Sequence, residues 1–212
     1  MDSGRHINYL PDELLLEIFS SFTTEDLAMI IQHVSYRWKE VSQDNSLWRK
    51  RAFSPAKTTT DNEIIHHLKN MPMLRKFSPQ HGFRIQGIIE TLCKTCTNIH
   101  QLEFAANQRV PLHTLRQILA AFPNLAHLKI PVSNDVDHFS VLCQFKSLIT
   151  LNFTECYLDI DQNVLSIIAD ECSMQQHLNM RNCTFPDQDI RYFLEKKKYQ
   201  LLSLSIACYI ST

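Results

Sequence analysis

The sequence predicts an α/β protein: a small helical bundle followed by stacked strand–helix units. Three observations predict it. A short phrase, apolar-x-x-apolar-x-apolar, recurs at a nearly constant interval through the second half of the chain. Segments with apolar residues at helical spacing lie between its copies. Ahead of them, residues 10–53 carry apolar side chains in short, capped helical runs.

The bundle comes first. Pro11 suits the first turn of a helix, where a missing N–H costs nothing. Asp12 and Glu13 favour the positive end of its dipole. Leu14, Leu15, Ile18, Phe19 and Phe22 follow at helical spacing. Thr23 with Asp26 reads as a capping box opening a second helix, with Leu27, Ile30, Ile31 and Val34 on one stripe. Trp38 and Val41 continue a third. Asp44 or Asn45 caps a fourth, carrying Leu47, Trp48 and Phe53. Each fully buried Leu, Ile or Phe contributes about 1.5–3 kcal/mol. Ordering costs about 1.5 kcal/mol per residue, so a unit this small is marginal without a staple. No disulfide or metal cluster is evident in this stretch. Its excess apolar surface must be covered by a partner or by the rest of the chain.

The repeated phrase is "IHQLEF", "LAHLKI", "LITLNF", "QQHLNM" and "LLSLSI", centred on Leu102, Leu128, Leu151, Leu178 and Leu204. The spacings are 26, 23, 27 and 26 residues. A weaker copy, "MPMLRKF", places Leu74 28 residues before Leu102. Each phrase is a short strand with alternate residues inward. Helical patterns at 63–68, 87–92, 112–122, 163–171 and 189–197 separate the copies, and "DVDHFSVLCQF" is a poorer one. One strand and one helix cannot bury both apolar faces alone. Stacked units can, as a solenoid with strands on its concave side.

The totals exclude several classes. Formal net charge is −1, and residues 1–60 and 61–212 are each nearly balanced. A nucleic-acid backbone or an anionic membrane is therefore not an evident partner. No signal-like apolar stretch opens the chain, and no run approaches the roughly 18 apolar residues of a membrane span. The seven cysteines are expected to be reduced, many of them buried, and the protein cytoplasmic or nuclear. With three glycines in the chain, Gly-rich phosphate loops are nearly excluded.

The order Leu10-Pro11, Leu14, Ile18-Phe19, Asp26-Leu27, Val34, Arg37-Trp38, Leu47-Trp48 resembles an F-box, over residues 10 to about 53. One departure is Ser35, where that family often has cysteine. The resemblance implies a bundle that binds the Skp-type adaptor of a cullin–RING ubiquitin ligase. Carried over by position, the adaptor-facing candidates are Leu10, Pro11, Leu14, Leu15, Ile18, Phe19, Leu27, Val34, Trp38 and Trp48. Some of these must instead pack the bundle, and the sequence alone does not sort them. The remainder resembles the leucine-rich repeat family. That family's Asn or Cys ladder position falls on Asn107, Ser133, Cys156, Cys183 and, out of pattern, Tyr209. An F-box followed by leucine-rich repeats resembles the substrate receptors of Skp–cullin–F-box ligases. The expected domains are 1–53 for the F-box and 54–212 for about five to six repeat units. The boundary lies in "SPAKTTTDN" at 54–62, a connection short enough to favour rigid docking. A C-terminal cap is expected to be absent, because the last phrase ends close to Thr212.

The outward positions of the strand phrases are candidates for substrate contact: Gln101, Glu103, His127, Lys129, Asn152, His177, Asn179 and Arg181. They are polar with a mild positive bias, suited to a protein segment, acidic or phosphorylated, or simply to solvent. Cys93-x-x-Cys96 invites a zinc or thiol reading. Zinc lacks a fourth ligand at finger spacing, and the pair sits near a helix end rather than opening one. Buried structural thiols are the preferred reading. No catalytic triad, metal motif or nucleotide loop is present, and no cofactor is expected. The functional expectation is a non-catalytic substrate-recognition subunit that joins an adaptor, and through it cullin and RING proteins, to a protein substrate. The alternatives are an F-box scaffold without a ubiquitylation role, and a thiol- or zinc-dependent protein using Cys93 and Cys96.

Overall fold

In a computed structural model of the chain, the described residues are 7–131, 136–153, 164–172, 176–181 and 185–206. A 3₁₀ turn at Ile7–Tyr9 leads into four short helices, α1 (Asp12–Ser20), α2 (Thr24–Met29), α3 (Tyr36–Ser42) and α4 (Asn45–Trp48). A second 3₁₀ turn at Ile31–His33 joins α2 to α3. Helices this short have a large share of unpaired backbone groups at their ends, so caps matter. Thr23 Oγ1 accepts from the Asp26 N–H at 3.0 Å and donates to its carboxylate at 2.8 Å. Ser35 accepts from the Trp38 N–H at 3.2 Å, so the departure from cysteine supplies the cap of α3. Asp44 rather than Asn45 caps α4, accepting from the Ser46 N–H at 2.8 Å. The last turn of α1 has no basic residue of its own. Arg51 serves it instead, donating to the carbonyls of Phe19 at 2.9 Å, Ser20 at 3.2 Å and Phe22 at 2.6 Å. A guanidinium there meets the negative end of the helix dipole.

The chain leaves α4 after Trp48. Phe53, expected on the fourth helix, lies instead in strand β1 (Ala52–Phe53). Its ring packs 6.0 Å from that of Phe77 and 5.4 Å from that of His67. The strands β2 (Lys76–Phe77), β3 (Gln101–Glu103), β4 (His127–Lys129), β5 (Thr150–Asn152), β6 (His177–Met180) and β7 (Ser203–Ile206) follow in one parallel sheet ordered β1 to β7. Leu102, Leu128, Leu151, Leu178 and Leu204 stand in a single register, as their spacing requires. The residue opposite Leu102 in β2 is Phe77, not Leu74. Leu74 occupies the phrase position of Ile99, and both are buried. Sheet pairing thus corrects the sequence alignment by three residues.

The helices α5 (Asp61–Lys69), α6 (Ile85–Thr95), α7 (Leu112–Ala121), α8 (Val136–Cys143), α9 (Val164–Glu171) and α10 (Asp187–Lys197) connect successive strands from β1 to β7. Each packs on the next. Their apolar stripes, such as Ile88, Ile89 and Leu92 on α6, bury the sheet face that carries the leucine row. A full capping box, Thr60 with Glu63, opens α5. Between β3 and α7 the buried amide is Gln108, which accepts from the Phe83 N–H at 2.7 Å, whereas Asn107 is exposed. The expected ladder residue is therefore displaced by one position in this turn. Ser133, Cys156, Cys183 and Tyr209 lie outside the described residues.

The cysteines also depart from expectation. Cys143 and Cys172 form a disulfide between the ends of α8 and α9, while Cys93 and Cys96 are free thiols. Side-by-side packing of α8 and α9 brings the first two sulfurs together, a pairing that a separation of 29 residues does not announce. The bundle and the sheet are joined by more than chain continuity. Gln32 Nε2 donates to the Asn70 carbonyl at 3.1 Å, and the Ser78 N–H to that of Phe53 at 3.0 Å. The boundary expected at 53/54 falls just after β1, so the first strand of the sheet lies on its N-terminal side. Among the described residues, no helix is long and apolar enough to cross a membrane.

Candidate functional site

Helix α1 has two seams. Leu15 and Phe19, four residues apart, are fully buried. Leu14 and Ile18, offset by one, face outward: Leu14 is 45% exposed and Ile18 half-buried. The stripe expected along α2 breaks because α2 ends at Met29 and a 3₁₀ turn follows. Leu27 and Ile31 then go inside, while Ile30 is 58% and Val34 53% exposed. Trp38 and Trp48 are buried. The Trp38 ring lies 5.0 Å from that of Phe19, and its indole N–H has no hydrogen-bond partner among the described residues. Trp48 Nε1 donates to the Ser42 carbonyl at 2.7 Å.

The ten adaptor-facing candidates are thereby sorted. Leu15, Phe19, Leu27, Trp38 and Trp48 form core, whereas Pro11, Leu14 and Val34 are exposed and Leu10 and Ile18 half-buried. Five exposed apolar residues of the bundle, Ile7, Tyr9, Phe22, Ile30 and Tyr36, were not among them. Tyr9 is 81% exposed, Tyr36 77% exposed, and Ile7 is also outside. Tyr36 carries a sequence signal: its neighbours three and four residues on are Lys39 and Glu40, so nothing apolar on its own helix waits for it. An anchored corner brings these residues together. Arg37 donates to the Asp12 carboxylate at 2.5 Å and to the Leu10 carbonyl at 2.5 Å. The start of α1, with Tyr9, Leu10 and Pro11, therefore lies beside the start of α3, with Val34 and Tyr36.

The second surface is the uncovered sheet face. Gln101, His127, Thr150 and His177 share one register row, and Glu103, Lys129, Asn152 and Asn179 the next. All eight are half-buried. Arg181 follows β6 and is exposed. Glu103 is fully engaged: Lys76 stands 3.2 Å away, Ser78 donates at 2.8 Å and Gln101 at 2.6 Å. Burial raises its pKa, but these donors and the ammonium outweigh burial and hold it below the ordinary glutamate value. A cavity of about 430 Å³ opens at the carboxyl ends of β1–β4, lined by Ser54, Ser78, Gln80, Glu103 and Lys129 among others.

The thiol pair offers no reactive centre. Burial pushes Cys93 up to about 11, helped by its neighbour Cys96, and burial pushes Cys96 to about 11 as well. A nucleophilic thiol needs the opposite shift. Among the described residues no three His, Cys, Asp or Glu side chains converge as metal ligands. Lys197 is buried and donates to the Cys172 carbonyl, and Arg51 donates to carbonyls at the end of α1.

A family model described as F-box-like matches residues 7–54. The chain carries an F-box-like domain there, and the match takes in the four helices, the anchored corner and β1. F-box domains bind Skp-type adaptors. No curated protein matches the chain.

Proposed function

We propose that the chain is the substrate-recognition subunit of a Skp–cullin–F-box ubiquitin ligase, working in the cytoplasm or nucleus. Its F-box binds the Skp-type adaptor, and a leucine-rich-repeat solenoid built from β1–β7 and their helices holds a protein substrate. The observation that carries the reading is the apolar surface of residues 7–36. The bundle has a complete core of Leu15, Phe19, Leu27, Ile31, Trp38 and Trp48, yet leaves Ile7, Tyr9, Leu14, Ile30, Val34 and Tyr36 outside. Covering a large apolar side chain contributes about 1.5–3 kcal/mol, so several such residues suit a stable partner. The repeat reading is supported by the spacing of the phrases and by strictly sequential parallel strands. The substrate is held on the uncovered sheet face, with Gln101, Glu103, His127, Lys129, Asn152, His177, Asn179 and Arg181 as contacts. The chain contributes no catalytic residue. It raises the local concentration of substrate beside the ubiquitin-loaded enzyme brought by the cullin and RING subunits.

Co-expression with a Skp-type adaptor tests the reading. The wild-type chain should co-purify with it, and Leu14→Asp with Val34→Asp should not, with the fold retained. A wild-type chain that purifies alone in the presence of adaptor contradicts the reading. Cullin in the same complex separates a ligase subunit from a scaffold.

A further inference from the structure

The uncovered sheet face is not evenly charged. It presents Lys76, His127, Lys129 and His177, with Arg181 at the end of β6, against one acid, Glu103. That acid is already neutralised by Lys76, and its two oxygens accept from Ser78 and Gln101. Lys129 stands next to Glu103 in register, yet among the described residues its ammonium makes no hydrogen bond or ion pair. Its side chain lines the cavity at the strand ends. Two strands from β4, His177 shares a row with His127, about 10 Å away by ordinary strand spacing. The face therefore offers a cationic anchor in a cavity and two imidazoles beside it, with no uncompensated acid to repel an anion.

We propose that this face binds an extended acidic peptide segment, one carboxylate seated in the cavity against Lys129 and further carboxylates running along His127 and His177. This rests on the substrate-receptor reading and names its ligand class. Charge complementarity fixes the choice: a basic or neutral segment leaves Lys129 unpaired, whereas a carboxylate gives it a charge-assisted hydrogen bond. His127 makes the affinity depend on pH. Burial, and then its neighbours His177, Lys76 and His100, hold His127 below the ordinary imidazole value, with Glu103 alone opposing them. His127 is thus neutral at neutral pH. Proton uptake by His127 adds positive charge to the face, so binding tightens as pH falls.

Fluorescence anisotropy with the full chain tests it, using labelled hexaglutamate, hexaglutamine and a phosphoserine peptide as probes. Hexaglutamate should bind and hexaglutamine should not. Lys129→Gln should weaken hexaglutamate about tenfold. Thr150→Lys, which places a cation between His127 and His177, should tighten it about threefold, a gain that misfolding cannot produce. Affinity should rise as pH falls below about 6.5. The proposal is overturned if hexaglutamate does not bind, if both uncharged and acidic probes bind equally, if binding ignores Lys129, or if only the phosphoserine probe binds. With adaptor capture intact, such a failure removes the ligand class and leaves the receptor reading standing. Loss of adaptor capture by the wild type removes the reading itself.

Discussion

The N-terminal bundle and the sheet region handle exposed surface in opposite ways. In residues 7–36, Ile7, Tyr9, Leu14, Phe22, Ile30, Val34 and Tyr36 are large, apolar and exposed. Between residues 37 and 191 no large apolar residue is exposed among those described; beyond that, Tyr192, Leu194, Tyr199 and Leu202 are, so the contrast holds for the sheet region up to α10. The sheet leaves a whole face open, but fills it with histidine, lysine, asparagine, glutamine and threonine. A polar open face is stable in water as it stands. An apolar one is better hidden, so its persistence on a small bundle with a finished core points to a permanent partner. On the proposed function, the contrast matches two kinds of contact: a constant, apolar one with the adaptor and a variable, polar one with substrate.

The contrast breaks most visibly at Leu14 and Phe19, which share a helix and differ in depth. Leu14→Asp with Val34→Asp should cost about a hundredfold or more in adaptor affinity, read by calorimetry. The same pair should move unfolding stability by only about 0.5 kcal/mol per site. Phe19→Ala should do the reverse, lowering stability by about 3–5 kcal/mol in denaturant titration. If Leu14→Asp unfolds the chain, α1 has been read inside out.

Arg51→Met should cost about 1–3 kcal/mol, because the α1 carbonyls of Phe19 and Ser20, and that of Phe22 just beyond, lose their donor. The tryptophans sharpen the picture further. Trp48→Phe loses the bond to the Ser42 carbonyl, whereas Trp38→Phe removes an indole N–H with no partner among the described residues. Trp48→Phe should therefore be the more destabilising of the two, by about 1 kcal/mol. Smallest is the effect of Glu103. Its folded pKa is depressed, so its contribution is present above the unfolded value and lost as pH falls through the folded one. A Glu103→Gln variant should show a shallower loss of stability on acidification below about pH 4.3 than the wild type.

Much of this was legible before any coordinates. The strand phrases gave the leucine row, because a period of two inside a period near 26 leaves little freedom of register. The capping residues Thr23 and Asp44 gave the helix starts. Phe53 leaves the expected fourth helix because it pairs with Phe77 in β2, 24 residues on, a tertiary contact no local pattern encodes. Leu74 was misplaced by three residues because Leu74 and Phe77 are both apolar and both buried. The ten adaptor candidates are not sorted by the sequence into core and surface, since Leu14 and Leu15 look alike until the helix is rotated against its neighbours. Tyr9 lies outside any regular period, so periodicity could not reach it. The disulfide of Cys143 and Cys172 depends on how two helices sit side by side, a tertiary fact.

The most direct measurement is hydrogen exchange on the full chain with and without a Skp-type adaptor. The account predicts new protection confined to the segment from Ile7 to about Val41, with the strands from Gln101 to Met180 unchanged. Protection centred on those strands, or no change along the N-terminal helices while the complex is formed, would contradict it.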